Sequence, residues 1–448
     1  MSQALLEPAA AARRLLENSD AGGTEVLVIE ERAALTRFAN SEIHQNVSER
    51  SSSLRVRVIE ADRVGVASTN QLDEDGLRGV LARARAVARA QQPHPGLPPL
   101  PGPSPATPTA LVAATADSTA EERAEMVAAM CQPAGAAGVR AFGAVGATVS
   151  TFTVANSAGL NISSPRCVAT ARMVAMDDTG ASGYGARASQ SVDKLEPGAI
   201  AAEAIDRAVR YREPITLDAG EYQVVMQEEA IGEMLEYLSH IGFGALAIEE
   251  GRTFMRPSEH VSGPGINIWD DGHDPAGLPM PFDFEGVPRR RVDLVRDGIA
   301  VGMVHDLASA ARAGVESTGH GLPAPNPDGP TAVNLFVGGG QATNREDLCA
   351  GIERGVWVTR FWYLNVVDPT QSVLTGMTRD GTFLIENGRV TRPIKNMRFT
   401  QSVMEAFATC SAATRETKLV AGTDYGFTAA YRVPAMRLDS FNFTSATR

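Results

Sequence analysis

Two stretches decide the fold of the first half of the chain: LRVRVIEADRVGVAS, residues 54–68, and CVATARMVAMDDTGASGYGARAS, residues 167–189. Both alternate apolar with polar or small side chains at period two, the pattern of strands that bury one face. Related tetrapeptides precede them, Phe38-Ala39-Asn40-Ser41 and Val154-Ala155-Asn156-Ser157. A helical stretch follows each one, 73–90 and 197–211, and another precedes each one, 3–17 and 119–131. The repetition predicts a duplicated helix, antiparallel strands, helix unit whose sheet leaves one face for helices to cover. Between the copies lies QPHPGLPPLPGPSPATP, residues 92–108, whose proline density forbids helix and sheet and predicts an exposed, semi-extended connector.

Working outward, REPITLD at 212–218 marks a boundary after which the sequence turns strand-rich. Residues 222–227 read as a strand leading at once into a helix. Ala230, Ile231, Met234, Leu235, Leu238 and Ile241 form its buried stripe, and Gly242 and Gly244 stop it. Glu229, Glu233, Glu236 and His240 lie off that stripe. Glu236 and His240 are four residues apart and share a face. A carboxylate and an imidazole so placed are half of a metal site, or an exposed helical pair.

The segment 257–288 is irregular, and its Asp270-Asp271-Gly272-His273-Asp274 invites a metal reading. It lacks the ligand order of a calcium loop, so turn chemistry is expected there. RVDLVRDGIAVGMVHD, 291–306, reads as a hairpin turning at Asp297-Gly298, and a helix is expected over 307–313. After AVNLFV come Gly338-Gly339-Gly340 and a short helix capped by Asn344. No Lys-Ser/Thr follows, so the glycines predict a tight turn and no phosphate cradle. From Trp357 onward the chain is short strands, with turns expected at 379–381 and 386–388, the makings of an antiparallel sheet or open barrel.

The fold class is therefore α+β. An N-terminal duplicated helix–antiparallel sheet–helix domain, 1–215, precedes a C-terminal, mainly antiparallel, open barrel-like β domain with short helices, 216–448. A chain of 448 residues has ample core for both. Its net charge of -12 disfavours nucleic acid as a direct partner, and no apolar run is long enough to span a membrane. The start, MSQALLEPAAAARRLLENSD, reads as a charged amphipathic helix and not as a signal peptide, so the cytoplasm is the expected compartment. Cys131, Cys167, Cys349 and Cys410 are scattered without zinc or disulfide spacing. Lysine occurs only at 194, 395 and 418.

Several segments together resemble the TldD/PmbA family, also described as modulators of DNA gyrase. They are RFANSEIHQN (37–46), GVASTNQLD (65–73), VVMQEEAIGEML (224–235), FDFEGVPRRR (282–291), GMVHDLASAARAGVESTGHG (302–321) and GVWVTRFWYLNVVDPTQSVLTGMTRDGTFLIENGRVTRPIKN (355–396). The resemblance implies a dimer, commonly of two unlike paralogues, that acts proteolytically on peptides or small proteins. It also implies, for an active subunit, an HExxxH helix whose two His and a C-terminal Cys hold zinc while the Glu serves as base.

Aligned on VVMQEEAIGEML, the first His position falls at Glu236, the Glu at Tyr237 and the second His at Ile241. The C-terminal Cys region corresponds to 423–428 and holds no Cys. These degenerate positions, on a helix at 228–242, imply a non-catalytic subunit of the PmbA or TldE type. It would complete the chamber of a TldD-type protease, present an extended peptide on its sheet edges, and carry no cofactor or catalytic residue of its own. A one-residue shift of register gives the alternative, a metallopeptidase with an unconventional zinc site at Glu236 and His240, aided by His305 or His320. A second alternative is a peptide-binding homodimer without protease activity.

Overall fold

The computed structural model describes residues 6–103, 105–422 and 428–446. The first copy of the repeat is α1 (Pro8–Glu17), β1 (Gly23–Ala39), β2 (Glu42–Glu60), β3 (Arg63–Thr69) and α2 (Glu74–Ala90). The second is α3 (Ala113–Ala116), α4 (Ala120–Ala136), β4 (Arg140–Asn156), β5 (Asn161–Met176), β6 (Ser182–Ser189) and α5 (Pro197–Arg210). Local chemistry sets these limits. Asp73 caps α2 by accepting from the Gly76 amide at 2.8 Å, and Thr119 closes a capping box with Glu122 at the start of α4. Asn40 and Ser41, at φ 51° and 64°, form the two-residue turn that joins β1 to β2.

Each copy is thus a three-stranded meander, and β1 pairs antiparallel with β4 to fuse the two into one six-stranded sheet of order β3-β2-β1-β4-β5-β6. Val26, Val28, Leu54, Val56 and Val58 pack under α1 and α2, as the alternation predicts. The opposite face is also used. Leu27, Phe152 and Val154 pack against Met280, Phe282 and Phe284 of the second domain. The Pro-rich connector has neither helix nor strand among its described residues, but it is not a free spacer. The Asn156 side-chain amide donates to the Pro101 carbonyl at 2.8 Å, and Pro98, Pro99, Pro101, Pro103 and Pro105 wall a groove against Pro288, Leu307 and Ala310.

The second domain begins with β7 (Gly220–Met226), α6 (Glu228–Ile241), α7 (Ala245–Glu249), β8 (Ile268–Asp270), β9 (Val292–Arg296), β10 (Ile299–Ala300), α8 (Leu307–Ala313) and β11 (Asn334–Val337). It continues with β12 (Arg354–Asp368), β13 (Val373–Glu386), β14 (Arg389–Pro393), β15 (Met397–Ser402), α9 (Val403–Ala408), β16 (Cys410–Gly422) and β17 (Ala429–Ala446). Most pairings are antiparallel, as expected; β7 with β12 and β11 with β17 are parallel. Strand β17 pairs with both β15 and β7, so the circuit β7-β12-β13-β15-β17 closes on itself.

The hairpins at Asp297-Gly298 and Asn387-Gly388 are present, with positive φ at both residues of each pair. The turn expected at 379–381 is not there. Asp380 and Gly381 bulge within the continuous strand β13 opposite Thr359, whose hydroxyl donates to the Gly381 carbonyl at 2.7 Å. The Asp-Gly pair was a sound signal for positive φ, but positive φ serves a bulge as well as a turn.

Candidate functional site

Helix α6 follows β7 directly and packs against β12, β16 and β17, with Ala230, Ile231, Met234, Leu235 and Leu238 buried in the main core. Gly232 permits the approach to β16, since a Cβ there would lie 2.7 Å from Val420. The remaining face of the helix corrects the expectation of a solvated flank. Glu228 and Glu229 are buried, Glu233, Glu236 and His240 are half-buried, and the acidic face looks across to the first domain. It meets β5 and β6 at a cleft of about 290 Å³, walled also by β16 and Arg360.

Each acid near the start of α6 has its own partner from a distant element. Arg345 grips Glu228 with Nε at 2.9 Å and Nη2 at 2.8 Å from Oε2. Lys418, on β16, donates to Glu229 Oε1. Glu233 Oε2 accepts the Phe361 amide of β12 at 2.7 Å. Glu203, on α5, ties the group together, with Arg187 at 2.8 Å, Arg207 at 3.6 Å, Arg345 at 3.7 Å and Lys418 at 3.8 Å. One charge network therefore fastens the first domain to the helix of the second.

The electrostatics split this network in two. Burial works against ionisation of Glu229, but Lys418, Arg207 and Arg345 outweigh it and hold the carboxyl below its ordinary range. Glu203 is held well below it by Lys418, Arg187 and Arg207 in the same way. At Glu233 burial prevails over Arg360 and the single amide, and the pKa is pushed up to about 8. The Tyr184 hydroxyl, on β6, is pushed up to about 12 by burial. Arg360 lies 4.4 Å over its ring and 3.0 Å from Asp380, an ion pair whose N–H is not aligned as a hydrogen bond.

Of the residues singled out in the sequence, Glu236 lines this cleft, and a Cβ on Gly422 would meet its carboxylate at 2.5 Å. Tyr237 sends its hydroxyl to the Leu364 carbonyl at 2.7 Å, and Ile241 packs against the core. His320 belongs elsewhere. It is fully buried, with Nε2 2.9 Å from Asp270 and Nδ1 2.9 Å from the Thr318 hydroxyl. The backbone carbonyl of His305 accepts from this same loop, through the Thr318 amide at 3.2 Å and the His320 amide at 3.3 Å. Asp271 and Asp274 form the expected side-chain turns, accepting from the amides of His273 and Ala276. Residues 423–427, in the expected Cys region, lie outside the described residues.

Zinc does not fit these side chains. Among the described residues no three His, Cys, Asp or Glu side chains converge as ligands. Glu228, Glu229 and Glu233 are each engaged by a cation or an amide, and Cys410 directs its thiol to the Ala412 carbonyl.

Sequence reasoning placed this helix at 228–242, close to its observed Glu228–Ile241, but missed the motif at its start. Glu228, Glu229 and Glu233 repeat the HExxxH spacing eight residues before the register first chosen, in the segment EEAIGE. It also missed Lys418, one of only three lysines, for which scarcity was the one available signal.

Comparison with known proteins agrees along the chain. The PmbA/TldA metallopeptidase C-terminal domain matches residues 219–445, its domain 1 matches 24–88 and its central domain 98–212. The gap between the two N-terminal matches falls at the Pro-rich connector. The metalloprotease TldD homolog of Haemophilus influenzae is 29% identical over 218 residues, 47% of this chain and 42% of that protein. Metalloprotease slr0863 of Synechocystis sp. is 27% identical over 241 residues, 50% and 47% of the two chains. The chain thus spans about half or less of the length of these relatives. TldE from Thermococcus kodakarensis shares the fold, with a TM-score of 0.86 over 97% of this chain and 100% of that one at 19% identity. So does a Thermotoga maritima protein described as a candidate modulator of a DNA gyrase, with a TM-score of 0.85 at 18% identity over 97% and 99%.

Proposed function

Because the chain belongs to the PmbA/TldD metallopeptidase family, we propose that it is the non-catalytic subunit of a cytoplasmic peptide-degrading or peptide-processing complex. Its partner is a TldD-type metalloprotease, whose chamber it completes. The reading is supported chiefly by Lys418. Its ammonium lies against Glu229, the residue at the base position when EEAIGE is read in the HExxxH register. A cation built into the chain there opposes a divalent ion and removes the free carboxylate that would activate a water. Arg345 does the same at the first ligand position, Glu228.

In this reading the helix keeps its packing role after the loss of its ligands, because the buried stripe and the acidic face serve different contacts. The chain offers the outer strands of its sheets to an extended peptide and leaves the chemistry to the partner.

Two measurements test this. The chain purified alone should contain no stoichiometric zinc by mass spectrometry and should leave unstructured peptides intact. Co-expressed with a TldD-type protease, it should co-purify with it and restore peptide hydrolysis. Stoichiometric zinc together with hydrolysis by the chain alone, lost in Glu236→Ala or His240→Ala, would overturn the reading in favour of an unconventional zinc peptidase.

A further inference from the structure

We propose that the cavity between α5 and the sheet of the second domain binds a small monocarboxylate, held by the Gln227 side-chain amide and the Trp357 indole N–H. The cavity, of about 350 Å³, lies between α5, β12, β13 and the turns at 345–349 and 388–390. That volume is within the range of small-molecule sites. It shares no lining residue with the cleft beside the acidic face of α6.

Two donors at this cavity are spare. Gln227 stands immediately before α6, yet its side chain caps none of the helix amides. Its Oε1 accepts Arg207 Nη2 at 2.5 Å, which fixes the amide group and leaves Nε2 without an acceptor among the described residues. Trp357 lies opposite Phe383 in the β12–β13 ladder, and its N–H is likewise unpartnered. Gln227 is 1% exposed and Trp357 6%, and both line the cavity. Neither nitrogen is sealed from solvent, unlike the indole N–H of Trp269. Spare donors on nearly buried side chains are costly unless an acceptor reaches them.

The surrounding charge sets the sign of that acceptor. Arg187, Arg207, Arg345 and Lys418 are mostly buried and face the mostly buried Glu203, Glu228 and Glu229, four cations to three acids. Glu196, 3.6 Å from Arg187, is largely exposed, and Glu233, pushed up to about 8, is mainly protonated at neutral pH. One buried positive charge is left over, and Arg207 and Arg345 bring it to the cavity wall. Of the other charged residues there, Arg210 pairs with Asp206 at 3.2 Å, and Arg389 and Glu346, both exposed, offset one another. A single negative charge is therefore what the site balances, which selects a carboxylate over a phosphate. Its two oxygens match the two spare donors. Trp357, Phe383 and Val390 supply apolar wall for a short hydrocarbon body. Such a ligand is a free carboxylic acid or the carboxyl end of a peptide, and the site does not depend on the subunit reading.

The test is calorimetric titration of the whole chain with 3-phenylpropionate, with N-acetylphenylalanine and with N-acetylphenylalanine amide. Saturable binding of an acid is expected, and none of the uncharged amide. Tighter binding of 3-phenylpropionate points to a free acid as the source, and tighter binding of N-acetylphenylalanine to a peptide end. The chain has three tryptophans, so indole N–H resonances locate the site. The Trp357 signal, identified by its loss in Trp357→Phe, should move most on binding.

Trp357→Phe keeps the ring without the donor and should weaken binding by about tenfold. Gln227→Glu turns the spare donor into a second oxygen and should abolish it. The contrast of acid with amide and the indole shift are read on the parent chain, so a folding failure of either variant does not block the test. No saturable binding up to about 10 mM, equal binding of the amide, or tighter binding of inorganic phosphate than of either acid would overturn the inference. So would a shift confined to the Trp269 or Trp362 resonance.

Discussion

Two buried polar clusters in the second domain are built on opposite principles. Around Asp270 and Asp283 the acids are held mainly by backbone. Asp270 Oδ2 accepts the Val333 and Asn334 amides, each at 2.8 Å, while Oδ1 takes His320. Asp283 accepts amides from Glu285, Val287 and Gly321. On α6 the acids are held mainly by side-chain cations that arrive from other elements, namely Arg345, Lys418 and Arg360. Backbone donors fix loops and leave little to spare. Side-chain cations span a junction between domains and leave one oxygen of Glu229 buried without a hydrogen-bond partner among the described residues. The first cluster is a fastening for irregular chain, and the second is a charge network that ties one domain to the other.

The largest effect should come from the fastening. Asp270 is fully buried, and Asp270→Ala strands two amides and His320 at once, at a cost of about 3–5 kcal/mol. Denaturant unfolding measures it, and a loss below about 1 kcal/mol would remove the distinction between the two clusters.

Next comes the junction. Lys418→Met leaves Glu229 and Glu203 short of a cation, and a loss of about 3 kcal/mol is expected. Adding Glu229→Gln should recover much of it, because the uncompensated charge is then gone. Strict additivity in this double-mutant cycle would show that the pair is not coupled.

The smallest effect is one of slope. Burial raises Glu233 from 4.5 to about 8, so across that window the folded chain keeps a proton that the unfolded chain releases. This group's contribution to stability therefore falls as pH rises through the window, no more steeply than about 1.4 kcal/mol per pH unit. Glu233→Gln should flatten that part of the profile and gain on the parent towards pH 8. Asp283, raised to about 6, and Glu285, also raised, keep their share of the slope in the variant. An unchanged profile would mean that Glu233 titrates as an exposed acid.

Much of the fold was legible because its signals are local. The repeat shows in period-two alternation and in Asn40-Ser41 and Asn156-Ser157, which end β1 and β4 within the hairpins they open. Asp297-Gly298 and Asn387-Gly388 mark their own turns. The buried stripe of α6 is visible because its members lie within four residues of one another.

The site was less legible. Reading Glu229 and Glu233 as merely off the stripe was correct for the helix alone, but it said nothing about what lies opposite. The spacing in EEAIGE was available in the sequence and went unused, because no charge partner adjacent in sequence drew notice to it.

By itself, then, the sequence determined the duplicated meanders, the break at the prolines, the strand leading into α6 and the family to which those segments point. These depend on neighbours along the chain, where covalent proximity fixes who meets whom. Only the tertiary structure decided that Lys418 would face Glu229 across 189 residues and that Glu203 would reach them from the other domain. The two pairings follow from how two sheets and a helix stack. A charge has no periodicity by which the sequence could announce its partner.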